Sequence, residues 1–174
     1  MKPTLIETDF NTLTKAQKRV AIAKDVIARI HAENLVENRG ELIKNLYDVS
    51  TTKSLKDEIN NHKCEVCARG AILCSWIGNF NKITEDDIRE CVRCFRSNDF
   101  PAEILDVFDR EMLDNIEAAF ENQTYDWHYD ECETERYVNA FSTYDEEKND
   151  YVSASIIEIM EHLIKHEGEF PLPE

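Results

Sequence analysis

The sequence predicts a mainly α-helical protein, a single globular domain (residues 1–174) of about six helices packed around a buried central helix, with room for a short strand pair. Apolar residues recur every three or four positions through most of the chain, which is the helical period. Glycine and proline number only four each, too few for an all-β chain rich in turns. A length of 174 residues suits one domain that buries about 70% of the surface of its unfolded chain.

The first predicted helix runs from about Lys15 to Glu33. Its apolar side chains form a stripe at helical spacing: Val20, Ile22, Ala23, Val26, Ile27 and Ile30. Its basic side chains are expected on the solvated remainder of its surface: Lys15, Lys18, Arg19, Lys24 and Arg29. A phosphate-binding role for this basic face is the less favoured interpretation, because no aromatic residues are interspersed among the basic ones.

Residues 34–63 fit either short strands or a helical piece. Leu35-Val36 and Leu42-Ile43 are the candidate strands, and Arg39-Gly40 is a predicted turn. Ser54 has the spacing of a helix start. This segment is therefore where a short strand pair is expected.

The segment from Val66 to Phe80 is nearly all apolar or small, which predicts the buried central helix. Gly70 in its interior costs about 1 kcal/mol of helix propensity relative to alanine, which indicates a packing role. Small residues recur along one side of the helix and would let another backbone approach closely: Cys67, Gly70, Ala71, Cys74 and Gly78.

Four further helices are predicted. One begins at Thr84, one spans about 101–121, a shorter one spans about 135–144, and the last spans about 153–167. Residues 145–150 are predicted to form a charged connector. The side chains expected to face inward from the last two helices are Tyr137, Phe141, Tyr144, Ile156, Ile157, Met160, Leu163 and Ile164.

Two Cys-x-x-Cys pairs, Cys64/Cys67 and Cys91/Cys94, are separated by 23 residues. Such a layout is typical of structural zinc. The intervening segment is an apolar helix rather than the polar turns of a zinc ribbon, so we favour cysteines packed in the core and expect no cofactor. The alternatives are a zinc site on all four paired cysteines and a redox pair. Cys132, in a loop, is predicted to be a free thiol.

The net charge of −16 is concentrated in the C-terminal half. Residues 1–98 hold 16 basic and 14 acidic residues, whereas residues 99–174 hold 4 basic and 22 acidic ones. This field repels nucleic acid and anionic membranes and attracts basic protein surfaces. No apolar run approaches membrane-spanning length and the N-terminus does not resemble a signal peptide, so a cytoplasmic protein is expected.

No catalytic signature stands out, and we expect a non-enzymatic acidic protein that binds a basic protein surface, such as that of a nucleic-acid-binding or defence protein. The simpler interpretation is that the charge only maintains solubility. The expected contacts are the outward acids of the 101–121 helix and residues of an acidic, aromatic loop at 122–133: Asp106, Asp109, Asp114, Glu117, Asp126, Trp127, Asp130 and Glu131.

Other site types are less favoured. The same loop contains His128 and could bind a divalent cation, and His162 and His166 are spaced to share a metal ion on the last helix. A protein that sequesters a small nucleotide would need a phosphate clamp, for which the clustered arginines are the candidates: Arg69, Arg89, Arg93 and Arg96.

Two stretches resemble a family of small uncharacterised acidic proteins of tailed phages and bacterial genomes. The first runs from Val66 to Ser75 and holds a Cys-Ala-x-Gly-Ala motif at Cys67–Ala71, and the second lies within Ile156–Phe170. The resemblance implies no assigned activity. It implies a phage or mobile-element origin and a host cytoplasmic location. Small acidic proteins from such sources resemble, in charge, inhibitors that mimic DNA or bind host defence proteins.

Overall fold

The structure of the protein, a computed structural model, describes residues 7–40, 42–44, 55–80, 100–121, 131–147 and 149–173. Helices dominate these ranges, so the predicted mainly α-helical class is confirmed. The helix predicted to begin at Thr84 lies outside the described residues. The described helices number eight rather than about six: α1 Glu7–Asn11, α2 Lys15–His31, α3 Leu55–Asn61, α4 Ala68–Phe80, α5 Ala102–Val107, α6 Arg110–Glu121, α7 Glu131–Ala140 and α8 Ile156–Lys165.

Five short strands accompany the helices in the described part of the chain: β1 Leu35–Glu37, β2 Ile43–Lys44, β3 Cys64–Val66, β4 Ser142–Asp145 and β5 Asp150–Ser153. A three-stranded sheet has the order β1-β3-β2, with β1 parallel and β2 antiparallel to β3. β4 and β5 form a separate antiparallel hairpin. The strands expected near residues 35 and 43 are therefore present.

All thirteen residues of α4 are buried, as its nearly continuous apolar sequence predicts. The helix contacts α2, α3, α6 and β3. Among the described helices there is none with the length and apolar character that a membrane crossing requires.

Gly70 lets the loop before β2 lie directly against α4. A Cβ atom at Gly70 would lie 1.7 Å from the carbonyl oxygen of Leu42. That same oxygen accepts a hydrogen bond from the Cys67 N–H at 3.3 Å. The close backbone approach expected from the small residues of α4 is thus observed at Gly70.

Helix α2 begins with a capping box formed by Thr14 and Gln17. The expectation that Arg19 and Arg29 lie on its solvated surface is wrong, because both are buried. Arg19 donates to the carbonyl oxygen of Val107 at 2.7 Å, so its charged end is satisfied by backbone that lies far away in the sequence.

Arg29 lies in a buried polar network between α2, α3 and α4. Its Nε donates to Asp25 Oδ2 at 2.6 Å, and its Nη1 donates to Asn60 Oδ1 at 3.0 Å. The Ser75 hydroxyl donates to the same Asp25 oxygen at 2.7 Å. The guanidinium also occupies the space beside Gly78, where an added Cβ atom would lie 2.6 Å from Arg29 Nη2.

The single helix predicted over 101–121 is two helices, α5 and α6. Phe108 adopts an extended conformation (φ −107°, ψ 109°) and its side chain is fully buried. Asp109 then accepts a hydrogen bond from the Met112 N–H at 2.8 Å and so caps the start of α6. Burial of Phe108 together with this cap explains the break.

The predicted charged connector at 145–150 begins and ends within the β4–β5 hairpin, where Asp145 and Asp150 are paired strand residues. The shorter helix predicted at 135–144 ends at Ala140, where β4 follows almost at once. The expectation that Tyr144 faces the core is wrong, since it is 51% exposed. The strand places it opposite another tyrosine rather than on the buried face of a helix.

Ser155 precedes helix α8 and caps it through a capping box with Glu158. Gly168 has a positive φ of 94° and its N–H donates to the Leu163 carbonyl, which ends the helix. The inward positions of α8 that are buried are Ile156, Ile159, Met160 and Leu163.

The chain after α8 is bound to α7 and α8 through Phe170 and Pro171. The Tyr137 hydroxyl donates to the Phe170 carbonyl at 2.8 Å, and His162 Nε2 lies 2.8 Å from the Pro171 carbonyl. The rings of Phe141 and Phe170 stack and meet the His162 ring edge-on. Burial is the main cause that lowers the pKa of His162 from its ordinary value of 6.5.

We therefore expect the fold to lose stability as the pH falls below about 6.5, because the unfolded chain then binds a proton at His162 more readily than the folded chain. The contribution of the neutral His162 to the free energy of unfolding is complete above that pH. It is lost progressively as the pH falls through the lowered pKa of His162. His162→Gln keeps a donor for the Pro171 carbonyl and removes the titration. The melting temperature from about pH 5 to about pH 7.5 should fall less in this variant than in the parent chain. An equal fall in both would contradict the prediction.

Candidate functional site

Asp106 and Asp109, two of the acids predicted to face a partner, are exposed but already lie near basic residues of this chain. Asp106 forms an ion pair with Lys15 at 2.8 Å, and this contact lowers the pKa of Asp106. Asp109 lies 3.8 Å from Arg19 and also caps α6. A basic partner would have to compete with these internal contacts.

The prediction that Glu117 faces solvent is wrong, because it is 2% exposed. Its carboxylate accepts the Arg69 backbone N–H at 3.2 Å and lies 3.4 Å from Arg69 Nε. Arg69 also reaches Asp114, which is half-buried, at 3.4 Å. Arg69 is thus a buried partner of two carboxylates rather than part of an open phosphate clamp, which corrects its place in the predicted arginine pocket.

Most of the other predicted site residues lie outside the part of the chain that the structure describes. Glu131 and Cys132 lie in the first turn of α7, so the prediction that both belong to a loop is wrong. Their side chains are not described. The positions that fall outside are Arg89, Cys91, Arg93, Cys94, Arg96, Asp126, Trp127, His128 and Asp130. Their proposed roles remain predictions.

The described cysteines Cys64, Cys67 and Cys74 are all buried, as expected for core residues. Cys64 and Cys67 contact different groups. A hydrogen bond between the Cys64 and Cys74 side chains lowers the pKa of Cys64 and raises that of Cys74, where burial adds to the rise. Cys67 instead lies beside acidic residues of α6.

The β4–β5 hairpin, residues 142–153, exposes two aromatic side chains side by side. Tyr144 and Tyr151 are 51% and 60% exposed, and they are directly opposite in the strand register. Their ring centroids lie 5.3 Å apart in an edge-to-face arrangement. The Tyr144 hydroxyl donates to Asn149 Oδ1 at 2.7 Å. Such a cross-strand aromatic pair stabilises a two-stranded hairpin.

The hairpin is anchored at its base and exposed toward its turn. The Ser153 hydroxyl donates to the Phe120 carbonyl at 2.7 Å, and Arg39 donates to the Ser153 carbonyl at 3.3 Å. Asn149 adopts a positive φ of 53° in the turn, a conformation that asparagine tolerates better than most residues. Hydrogen bonds to α6 and to Arg39 therefore hold the base of the hairpin that carries the tyrosine pair.

The turn of the hairpin is strongly acidic. Between residues 145 and 150 the sequence has four carboxylates and a single lysine. Glu146, Glu147 and Asp150 are exposed, and within the described residues none of the three forms an ion pair. Asp106 and Asp109, by contrast, each lie near a basic side chain of this chain.

A second, buried cluster lies between α4 and α6. The Sγ atom of Cys67 and carboxylate oxygens of Glu117 and Glu121 lie within 4.8 Å of one another. The Gly40 N–H donates to both oxygens of Glu121 at 2.8 and 3.0 Å. Burial is the main cause that raises the pKa of Cys67 well above its ordinary range and raises that of Glu121, and the nearby Glu117 contributes to both.

Comparison with known proteins gives no match, whether the chain is compared with family models, with curated proteins or with solved structures.

Sequence reasoning missed both features for identifiable reasons. The hairpin had a weak signal, because Tyr144 and Tyr151 flank an acidic stretch that contains Asn149, a residue favoured in turns. The buried cluster had no local signal, since Glu117 lies 50 positions from Cys67.

Proposed function

We propose that this protein is a non-enzymatic interaction protein whose β4–β5 hairpin binds an arginine-bearing basic surface of another protein. The observation that carries the proposal is the exposed Tyr144–Tyr151 pair beside the exposed carboxylates of Glu146, Glu147 and Asp150, which form no ion pair within the described part of the chain. Exposed aromatic side chains with adjacent acids are the combination that recognises a guanidinium group.

The two parts of the surface would contribute differently to binding. A guanidinium over a tyrosine ring is worth about 0.5–1 kcal/mol at an exposed site, and a buried tyrosine is a frequent hot spot of protein interfaces. The carboxylates act over longer range, where they raise the association rate and exclude acidic partners. Arginine is favoured over lysine because its planar group can stack on a ring and pair with a carboxylate.

The main contact with the basic partner then lies on the hairpin rather than on the acidic residues of α5 and α6. Asp106 and Asp109 would take a secondary part, because Lys15 and Arg19 already neutralise them in the free protein. Asp126, Trp127 and Asp130 stay additional predicted contacts on the strength of their acidic, aromatic sequence.

We infer that the scaffold behind the hairpin is one domain arranged around α4. The complete burial of α4 and its contacts with α2, α3 and α6 support this arrangement. Ser153, at the base of the hairpin, is bonded to α6, which in turn packs on α4.

The partner class follows from charge and from the resemblance to small acidic proteins of phages and bacteria. A basic surface that evolved to hold nucleic acid would be attracted by a net charge of −16. We therefore propose a nucleic-acid-binding or defence protein of the host cytoplasm as the partner, with the acidic chain as its inhibitor or DNA mimic.

The hairpin assignment can be tested with a fluorescently labelled arginine-rich peptide as the basic probe. The double variant Tyr144→Ala/Tyr151→Ala is expected to bind it about tenfold more weakly than the parent chain, because both ring contacts are lost. A lysine-rich peptide of the same length should bind the parent chain more weakly than the arginine-rich one. Fluorescence anisotropy at two salt concentrations measures both effects.

Two variants that remove the same number of charges distinguish binding at the hairpin from attraction by the net negative charge of the whole chain. Glu146→Gln/Glu147→Gln removes two exposed carboxylates from the hairpin, and Glu103→Gln/Glu111→Gln removes two exposed ones from α5 and α6. The hairpin variant should weaken binding and its salt dependence more than the other. Equal effects from both pairs, or no effect of the tyrosine variant, would reduce the acidic surface to a solubility role.

A further inference from the structure

Three potential metal ligands meet inside the protein. Cys67 immediately precedes α4, whereas Glu117 and Glu121 lie four residues apart on α6, so that one face of that helix presents both carboxylates. The Sγ atom and one oxygen from each carboxylate lie within 4.8 Å of one another, and all three residues are buried. We propose that Cys67, Glu117 and Glu121 bind a Zn²⁺ ion.

The charge balance of the cluster supports a bound divalent cation. Two buried carboxyl groups and a thiol lie together, and Arg69 is the basic side chain that pairs with Glu117 among the described residues. Buried charges require compensation by partners or by metal coordination. One Zn²⁺ would neutralise the Cys67 thiolate and the Glu121 carboxylate, while Arg69 pairs with Glu117 and Asp114.

The donor set identifies the ion. A thiolate disfavours Mg²⁺ and Ca²⁺, which take oxygen ligands, whereas Zn²⁺ accepts cysteine sulfur and carboxylate oxygen in one tetrahedral site. Ligand atoms around such an ion lie about 3.5 Å apart, so a modest side-chain adjustment from the observed spacing closes the site. Three protein ligands leave a fourth position for water.

This site differs from the zinc site suggested by the two Cys-x-x-Cys pairs. It uses Cys67 but neither Cys64, whose thiol contacts Cys74, nor the second pair. The ion would join the start of α4 to α6, and through Glu121 to the turn at Gly40, whose N–H already bonds that carboxylate.

Cysteine binds Zn²⁺ as the thiolate, so binding of the ion must release the proton of the Cys67 thiol. The affinity is therefore expected to increase with pH. Calorimetric titrations of Zn²⁺ in buffers with different ionisation enthalpies measure the protons released.

The direct test uses the full chain, reduced and stripped of metal. Co²⁺ titration should produce a thiolate-to-cobalt charge-transfer band that saturates at one ion per chain and disappears when Zn²⁺ is added. Cys67→Ser and Glu121→Gln should each weaken Zn²⁺ binding by about 100-fold or more. Cys74→Ser, at another buried cysteine, should leave the affinity unchanged.

Glu121→Gln keeps an oxygen for the Gly40 N–H, so it tests the site even if Cys67→Ser fails to fold. The proposal is overturned if the parent chain gives no thiolate band, or if Glu121→Gln binds Zn²⁺ as tightly as the parent. It is also overturned if Cys91→Ser/Cys94→Ser abolishes binding while Glu121→Gln does not, a result that would assign the ion to the four-cysteine set.

Discussion

Replacing Asp25 with alanine is expected to destabilise the folded protein by about 3–5 kcal/mol, because the Arg29 guanidinium would stay buried without its carboxylate. Both side chains of the pair are fully buried. Asp25 Oδ2 also accepts from Ser75 at 2.7 Å and from Asn79 at 2.9 Å, so these donors lose an acceptor at the same time. Chemical denaturation followed by circular dichroism measures the loss as a lower midpoint.

Two further variants separate the buried charge from other consequences of the substitution. Asp106→Ala removes a carboxylate from an exposed pair with Lys15 and is expected to unfold close to the parent chain. Asp25→Leu/Arg29→Met removes both buried charges and should be less destabilised than Asp25→Ala, since apolar groups can replace a buried ion pair. Equal midpoints for Asp25→Ala and Asp106→Ala would show that the network contributes little.

The second large effect is expected at Gly70, where alanine should destabilise the fold by about 3 kcal/mol. The added Cβ atom would lie 1.7 Å from the Leu42 carbonyl oxygen, which belongs to the backbone and cannot rotate away. Either α4 or the loop before β2 must move, and the hydrogen bond from Cys67 to the same oxygen would be strained. The gain in helix propensity, about 1 kcal/mol, is smaller.

Gly40→Ala is the control for this prediction. Gly40 has a positive φ of 86°, but nothing lies within 4 Å of its added Cβ atom. Gly40→Ala should therefore lower the free energy of unfolding only by the conformational strain of alanine at positive φ, about 1–2 kcal/mol. Thermal and denaturant midpoints should rank Gly70→Ala below Gly40→Ala, and the reverse order would contradict the close approach at α4.

The sequence predicted best where a segment carries a long apolar pattern. The burial of α4 and the inward stripe of α8 follow from side chains within one helix, such as Ile156, Met160 and Leu163. The errors concern charged helix residues that were predicted to be exposed and are buried. Arg29 is buried because Asn60, 31 positions away, receives its guanidinium, and Glu117 is buried because Arg69, 48 positions away, pairs with it. A local pattern cannot show a partner so distant.

The candidate sites were harder to predict than the fold for the same physical reason. The strands of the hairpin have four residues each, too few for an alternating pattern to be distinguished from a connector. The exposure of Tyr144 depends on how the hairpin packs against the rest of the fold, which is a tertiary property. Cys67 was recognised as a possible ligand through its Cys-x-x-Cys spacing, but its neighbours Glu117 and Glu121 came only from the packing of α6 on α4.

The space shared by Arg29 and Gly78 has an evolutionary consequence. The guanidinium occupies the position that a methyl group at residue 78 would need, so neither residue is free to change alone. Homologous sequences that keep arginine at 29 should keep glycine at 78, whereas those with a shorter side chain at 29 should admit alanine there. Covariation between these two positions would therefore mark the family that preserves this buried charge, even where overall similarity has become too low to detect.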